Sequence, residues 1–340
     1  MKIIKVDNVN QALPLGLQYL ADEGDVEDSR NGLVLVAPEP VTTVYLRPRE
    51  RVLFSLLRDA NPFFHYVESM WMLMGMNEVS TPAKYARQME YYTDDGSTLN
   101  GAYGYRWRRY FGYDQIQEIV NILTKDPTSR RCVLTMWSGT KDLRDQTSKD
   151  LPCNTQIYFR IVNHALDIMV SCRSNDIVWG AYGANSVHMS FLQEYVACLL
   201  NLRVGTYYQV SFNYHLYPER DDVRRLIDRN DGDWLVHHGM PDNRYAIPSV
   251  HVAPHLFGRG EGPAFLEACT DALIDAPGHT SDYRAWSVDC VLKPIMNAHA
   301  AYKSGDLKLA ISECAGIAAN DWRIACTEWL KRRATPKVAP

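Results

Sequence analysis

Apolar and polar residues alternate along three stretches in the middle of the chain, Thr155 to Val162, Leu166 to Cys172 and Thr206 to Tyr214. A period of two predicts β-strands there. Arg131 to Trp137 reads the same way, and Lys2 to Val6, Leu33 to Val36 and Thr42 to Leu46 are short strand-like runs rich in β-branched residues. Between the second and third long strands the pattern changes, and Asn185 to Leu202 predicts a long apolar helix. Asn61-Pro62 opens another, with proline in the first turn and apolar residues nearly all round through Gly75. Such a helix is expected to be buried, and Glu68 is its anomaly, because an unpaired buried carboxylate costs several kcal/mol or titrates higher. Helices are also predicted from after Val6 to near Glu23, over Arg49 to Leu57, over 80–95, over Tyr113 to Leu123 and over Pro218 to Arg229. From about 263 the chain reads as almost all helix, ending in a basic tail expected to fray. Turns are predicted at Ser29-Arg30-Asn31-Gly32, after the acidic Asp22 to Asp28 segment, and at Asp94-Asp95-Gly96. The order is mixed α+β, with no repeat, no low-complexity segment, and neither a GxGxxG nor a P-loop motif.

Composition narrows the class. A chain of 340 residues can bury a sizeable core, and 46% apolar with 22% charged residues is ordinary for a globular protein. The formal net charge of -4 gives no global attraction to nucleic acid or acidic membranes, so any phosphate binding must be local. The eight cysteines form no CxxC pair, which argues against a zinc ribbon, and no metal site is expected. With no basic-plus-apolar leader after Met1 and no run of about 18 apolar residues, the expectation is a reduced, cytoplasmic protein with no membrane or nucleic-acid partner.

Within Asp150 to Tyr217 stand several residues that could carry chemistry. Cys153 follows Pro152 and enters a strand; its thiolate would be a nucleophile, and nearby arginines would favour it. Arg173-Ser174 at a strand end offers a bidentate fork and a hydroxyl donor, the chemistry that suits phosphate. Ser129-Arg130-Arg131, Asp176 with Glu68, and His215 with Tyr217 on one side of a strand complete the set. Taken singly, each also has a structural explanation: a buried thiol, a surface ion pair, a solvated basic turn, buried ion pairs, or core packing.

Together these residues stand in the order and spacing of a known family. Arg30-Asn31-Gly32 is similar to the family's Arg-Thr-Gly, and Val67 to Leu73 to its His-Glu-Leu-Leu-Trp-Phe-Leu helix. Asn100 to Arg108 looks like Gly-Pro-Val-Tyr-Gly-x-x-Trp-Arg, and Asp126 to Arg131 like Asp-Pro-x-Ser-Arg-Arg. Pro152-Cys153-Asn154 stands for Pro-Cys-His, Arg173 to Asp176 for Arg-Ser-x-Asp, and His215 to Tyr217 for His-Leu-Tyr. Residues 28–220 thus resemble the thymidylate synthase and pyrimidine nucleotide hydroxymethylase superfamily.

The resemblance implies a three-layer α/β fold with a large mixed sheet, one domain with its core at about 28–220 and a helical C-terminal extension from about 221. It implies that Cys153 adds to C6 of a pyrimidine nucleotide and that C5 then takes the one-carbon unit of 5,10-methylenetetrahydrofolate. Arg30, Arg173 and Ser174 would hold the 5′-phosphate, with Arg130 and Arg131 reaching it from the other subunit of a homodimer. Glu68 would organise water and proton transfer, Tyr103 would assist proton removal at C5, and Asp176, with Trp71 and Gly180, would face the folate. His215 and Tyr217 would bind the sugar, and Asn185 or Ala184 would face the base.

Departures from the synthase pattern select a branch. Met89 and Tyr92 stand where synthases carry folate-covering tryptophans, the chain's last residues do not look like the apolar synthase lid, and Asn154 replaces a histidine. Admitting water would turn hydride capture into water capture and give a hydroxymethyl product with tetrahydrofolate unoxidised. Counting from either end gives one extra residue in Gly180 to Asn185, and the Trp-Gly-Ala-Tyr-Gly-Ala-Asn loop looks more like that of hydroxymethylases than of synthases, while an amide at Asn185 does not exclude cytosine. The expectation is therefore 5-hydroxymethylation of CMP or dCMP, with reductive methylation of dUMP as the competing reaction and a non-catalytic nucleotide- or RNA-binding relative as the third.

Overall fold

The computed structural model describes residues 1–145, 147–228, 243–247, 253–258, 261–274 and 285–334. Its centre is an eight-stranded mixed sheet. The strands are β1 (Lys2–Val6), β2 (Asp25–Ser29), β3 (Gly32–Val36), β4 (Val41–Tyr45), β5 (Val133–Thr135), β6 (Asn154–Val162), β7 (Ala165–Asp176) and β8 (Arg203–Leu216). The main order is β1-β4-β8-β7-β6-β5, with the β2–β3 hairpin attached to the end of β8. β7 and β8 run parallel, so their C-terminal ends finish side by side, Ser174 opposite Asn213 and Asp176 opposite His215. β6 is antiparallel to β7 and begins at that same end, with Asn154 opposite Cys172. Open α/β sheets collect ligand groups at the carboxyl ends of their strands, and here the ends of β7 and β8 meet the start of β6.

α1 (Val9–Glu23) follows β1, capped by Asn8, whose side chain accepts from the Asn10 N–H at 3.1 Å. α6 (Asn185–Leu199) crosses the inner face of the sheet, and α2 (Pro62–Leu73) packs on α6. Asn61 caps α2 by accepting from the Phe64 N–H at 3.1 Å. All twelve α2 residues are buried. The reason is a further layer outside it: α8 (Gly262–Ile274), α9 (Lys293–Lys303) and α11 (Asn320–Ala334) cover its far side. The Trp322 ring stands 5.0 Å from Tyr66 and the Trp329 ring 5.4 Å from Phe63. α3 (Ser80–Tyr85), α4 (Tyr103–Arg108) and α5 (Gln115–Lys125) lie beside α2, while α7 (Asp221–Asp228) follows β8 and α10 (Leu307–Glu313) lies between α9 and α11.

The expected mixed α/β architecture is observed, and two local expectations are corrected. Arg49 to Leu57 is not helical. Its backbone is captured by side chains of other segments: Asn10 donates to the Val52 carbonyl at 2.9 Å and accepts from the Phe54 N–H at 2.8 Å, while the Val52 N–H donates to Tyr245 Oη at 3.2 Å. Buried Arg51 pairs with buried Glu194 of α6, a contact that the extended segment delivers. The acidic stretch before the expected turn, which is present at Arg30-Asn31, is the exposed strand β2, carried by ladder pairing with β3 in spite of its composition. The basic tail beyond 334 lies outside the described residues. No described helix is long and apolar enough to cross a membrane.

Candidate active site

A cavity of about 250 Å³ opens where β6, β7 and α2 converge. Cys153, one residue before β6, stands in its wall, half-buried. Its carbonyl accepts from the Arg173 N–H at 2.9 Å, locking the loop to β7. The Arg173 side chain folds back over this loop, donating from Nε to the Pro152 carbonyl at 3.0 Å and from Nη2 to the Leu151 carbonyl at 3.1 Å, and Nη2 lies 4.0 Å from Cys153 Sγ. The guanidinium also lies over the Trp137 ring. Burial pushes the Cys153 thiol above the ordinary range; Arg173 and Arg30 oppose that shift, and Asp150 and Asp176 add to it. The arginines thus do favour the thiolate, as expected from sequence, but in this chain alone desolvation wins.

Glu68, Phe64 and Trp71 reach the cavity from one face of α2, at i, i+4 and i+7. Tyr103 comes from the start of α4. A Cβ on Gly104 would fall 1.9 Å from the Met72 carbonyl oxygen, so only glycine lets α4 close onto α2 and bring Tyr103 to the thiol. Tyr103 Oη accepts from the Asn154 N–H at 3.3 Å. Burial holds the phenol well above its ordinary pKa, and the neighbouring Cys153 adds to that.

A chain of amides runs behind one side of the cavity, and Asn175 and Asn185 of it line the space. Asn154 Nδ2 donates to Asn185 Oδ1 at 3.0 Å, Asn185 Nδ2 to Asn175 Oδ1 at 3.1 Å, and Asn175 Nδ2 to Ser211 Oγ at 2.9 Å. Asn154 Oδ1 has no partner among the described residues. Ile177–Ala184, expected as a loop, is π-helical with a kink at Gly183, and the Asn185 N–H closes onto the Gly180 carbonyl. A Cβ on Gly180 would come within 2.8 Å of Asn175 Oδ1 and 3.2 Å of Asn185 Nδ2, so glycine makes room for the amides. Ala184 and Asn185 both line the cavity, and only Asn185 presents hydrogen-bonding groups. Asp176 caps this turn, its Oδ1 accepting from the Val178 N–H at 2.8 Å.

The other expected residues fall around this centre. Ser174, Asp176, Trp71 and Gly180 line the cavity, as do Met89 and Tyr92. Arg30 lies at the exposed tip of the β2–β3 hairpin, and the next residue, Asn31, donates from Nδ2 to Tyr217 Oη at 3.4 Å. The His215 and Tyr217 rings meet edge to face at 5.3 Å, at the rim rather than in the cavity wall. Arg130 and Arg131 are exposed and do not line this chain's cavity. The sequence reading gave no role to Asp150 or Asn175, nor to His188, which sits one turn after Asn185 on the same face of α6 and lines the cavity. Asp150 Oδ2 accepts from the Gly101 N–H at 2.7 Å, and burial raises its pKa.

The sequence profile of the family described as thymidylate synthase matches residues 46–235. The chain is 44% identical to a deoxyuridylate hydroxymethyltransferase of Pseudomonas phage M6, over 98% of this chain and 95% of the relative. It is 34% identical to a protein of the same name from Bacillus phage SP01, over 63% of this chain and 60% of that one. Among solved structures, thymidylate synthase from T4 phage matches with a TM-score of 0.51 at 21% identity, covering 64% of this chain and 79% of that chain.

Proposed function

This chain belongs to the thymidylate synthase family, and we propose that it is a deoxyuridylate 5-hydroxymethylase. The observation that carries this reading is the 44% identity, along nearly the whole chain, to the M6 protein whose name states that reaction. The expectation of hydroxymethyl transfer is kept, and for the base we propose uracil in place of cytosine. What supports uracil is that the M6 and SP01 relatives are named for deoxyuridylate; the amides around Asn185 can serve either base. Each amide carries a donor and an acceptor, so the chain of amides can offer an N–H to O4 and a carbonyl to the N3–H of uracil.

In this reading Cys153 adds to C6, leaving C5 as the nucleophile. 5,10-Methylenetetrahydrofolate supplies the one-carbon unit, and the residues present fit it: the apolar surfaces of Trp71, Met89, Tyr92 and Trp179 lie beside the acids Glu68 and Asp176, with Gly180 leaving space. Tyr103, beside both the thiol and the Asn154 backbone, assists loss of the C5 proton. Arg173, Ser174 and Arg30 bind the phosphate, and His215 and Tyr217 the sugar. We take the chain as one domain with a helical C-terminal extension, acting as a homodimer. Arg130 and Arg131, exposed and away from their own cavity, would complete the phosphate site of the second copy. The outer sheet face, where Met169 and Phe212 are exposed beside Tyr158 and Tyr208, suits the dimer contact.

The test is a panel of dUMP, dCMP, UMP and CMP with methylenetetrahydrofolate. We expect dUMP to gain one CH2O unit by mass with no dihydrofolate. A methyl product formed together with dihydrofolate would assign the protein to reductive methylation, and product from cytidylates alone would restore the cytosine reading. Absence of C5 tritium release from every nucleotide would leave a binding relative.

A further inference from the structure

His188 is almost completely buried, at 2% exposed, yet it stands in the wall of the cavity that holds Cys153. Its Nε2 lies 2.9 Å from Oε2 of Glu68, which is 5% exposed and reaches in from α2. The pair is at ion-pair distance but out of line for a hydrogen bond. His188 Nδ1, His188 Nε2 and Glu68 Oε2 therefore have no hydrogen-bond partner among the described residues. Buried polar groups without partners are costly, and they concentrate where a protein uses them. His65 lies one turn before Glu68 on α2, and burial, then the nearby His188, holds its pKa well below the ordinary value. One acid and one imidazole, from different helices, are thus left with open hydrogen-bonding positions facing the reacting cavity.

Resting on the functional reading above, we propose that His188 is a positioning residue for product choice. It holds the Glu68 carboxylate in the orientation that delivers water, and not another nucleophile, to the methylene carbon attached at C5. The step balances without oxidant or reductant. After the folate has departed and the C5 proton is lost, C5 carries an exocyclic methylene while C6 remains bonded to Cys153 Sγ. The water oxygen forms a bond to the methylene carbon, and the C5=CH2 pair moves into the C4 carbonyl as an enolate. The water proton passes to Glu68, which His188 steadies in its charged and neutral states. The enolate then closes C5=C6 and expels Sγ with its bonding pair, giving the 5-hydroxymethyl nucleotide.

The experiment uses the full chain with dUMP, methylenetetrahydrofolate and added 2-mercaptoethanol, which competes with water for the methylene carbon. Release of C5 tritium counts commitment, and mass analysis gives the ratio of hydroxymethyl to thioether product. In His188→Ala we expect hydroxymethyl product to fall by about 10²-fold while tritium release falls by less than about 10-fold, with thioether product taking up the difference. His188→Gln, which keeps a polar N–H group beside Glu68, should restore much of the water product and guards against a folding defect in the alanine variant. An unchanged product ratio in both variants, or tritium release and hydroxymethyl product falling by the same factor, overturns the inference and leaves the function standing. Wild-type protein that makes no hydroxymethyl product from any nucleotide overturns the functional reading and this inference with it.

Discussion

Helix α2 is buried on both sides, and its two faces are made of opposite materials. Toward the C-terminal helices it presents Phe63 and Tyr66, which meet Trp329 and Trp322 ring on ring. The one polar atom of Tyr66 is satisfied there, its hydroxyl donating to the Ser287 carbonyl at 3.0 Å. Toward the cavity it presents Phe64, Glu68 and Trp71, and a carboxylate oxygen is left without a hydrogen bond among the described residues. Exposure is near zero on both faces, so burial does not mark the site. What marks it is polarity that packing has not consumed. The cysteines repeat the point. Cys269, Cys314 and Cys326 are buried in the helical layer with no arginine raising their acidity, whereas at Cys153 Arg173 and Arg30 work against desolvation.

The contrast can be broken by substitution on either side. Cys153→Ser should lower turnover by at least about 10⁴-fold with the melting temperature nearly unchanged, measured by product mass and calorimetry. Glu68→Gln should cost about 10²- to 10⁴-fold in turnover while denaturant stability changes little, since the carboxylate oxygen it alters makes no hydrogen bond among the described residues. Phe63→Ala reverses that outcome: a loss of about 3–5 kcal/mol in denaturant unfolding, with the folded fraction keeping its turnover. A fall in turnover larger than the fall in folded fraction would show that the two faces are not separable.

Smaller effects sharpen the far face. His299 packs against the Tyr85 and Phe63 rings, and burial, then Lys303, brings its pKa down to about 4. The unfolded chain therefore binds more protons between pH 4 and 6.5, so stability rises with pH across that window and is lost as pH falls through it. His299→Gln should flatten that segment of the stability–pH curve by at most about 3 kcal/mol, read as the difference from wild type at each pH. A curve parallel to wild type would remove His299 as the cause. Asp59 accepts from Arg332 at 3.0 Å and Arg333 at 2.9 Å and sits at a positive φ that asparagine tolerates. Asp59→Asn should therefore cost less than about 1 kcal/mol, the scale of a partly exposed ion pair, and less still at high salt.

The strands β6, β7 and β8 were legible because one face of each packs on a helix and the other does not, which writes a period of two into the residues. α2 and α6 were legible as apolar runs, but the reason α2 is apolar all round, the C-terminal cover, was not. β2 was missed because Asp25, Glu27 and Asp28 oppose strand formation locally and only the ladder to β3 overrides them. Arg49 to Leu57 was misread as helix because its backbone partners are side chains of Asn10 and Tyr245, distant in sequence. At the site, Cys153, Glu68, Arg173 and Asn185 were singled out by the family resemblance, and the structure gathers them around one cavity. His188 did not, because its partner Glu68 stands on another helix and no local pattern joins them. The amide chain was half visible: Asn154 stood out as a departure, but its bond to Asn185 is a product of the sheet register.

The π-helical turn at Ile177–Ala184 has a further consequence, best put in terms of editing the protein. One residue added to an ordinary α-helix swings everything after it by about 100° and would carry His188 away from Glu68. Here Ile177–Ala184 is π-helical and kinked at Gly183, the Asn185 N–H closes on the Gly180 carbonyl, and α6 proceeds from Asn185 in regular form. This edge of the cavity is therefore where one codon can be added or removed with least re-aiming of the helix behind it, which makes the kinked segment the place to begin when reshaping the cavity.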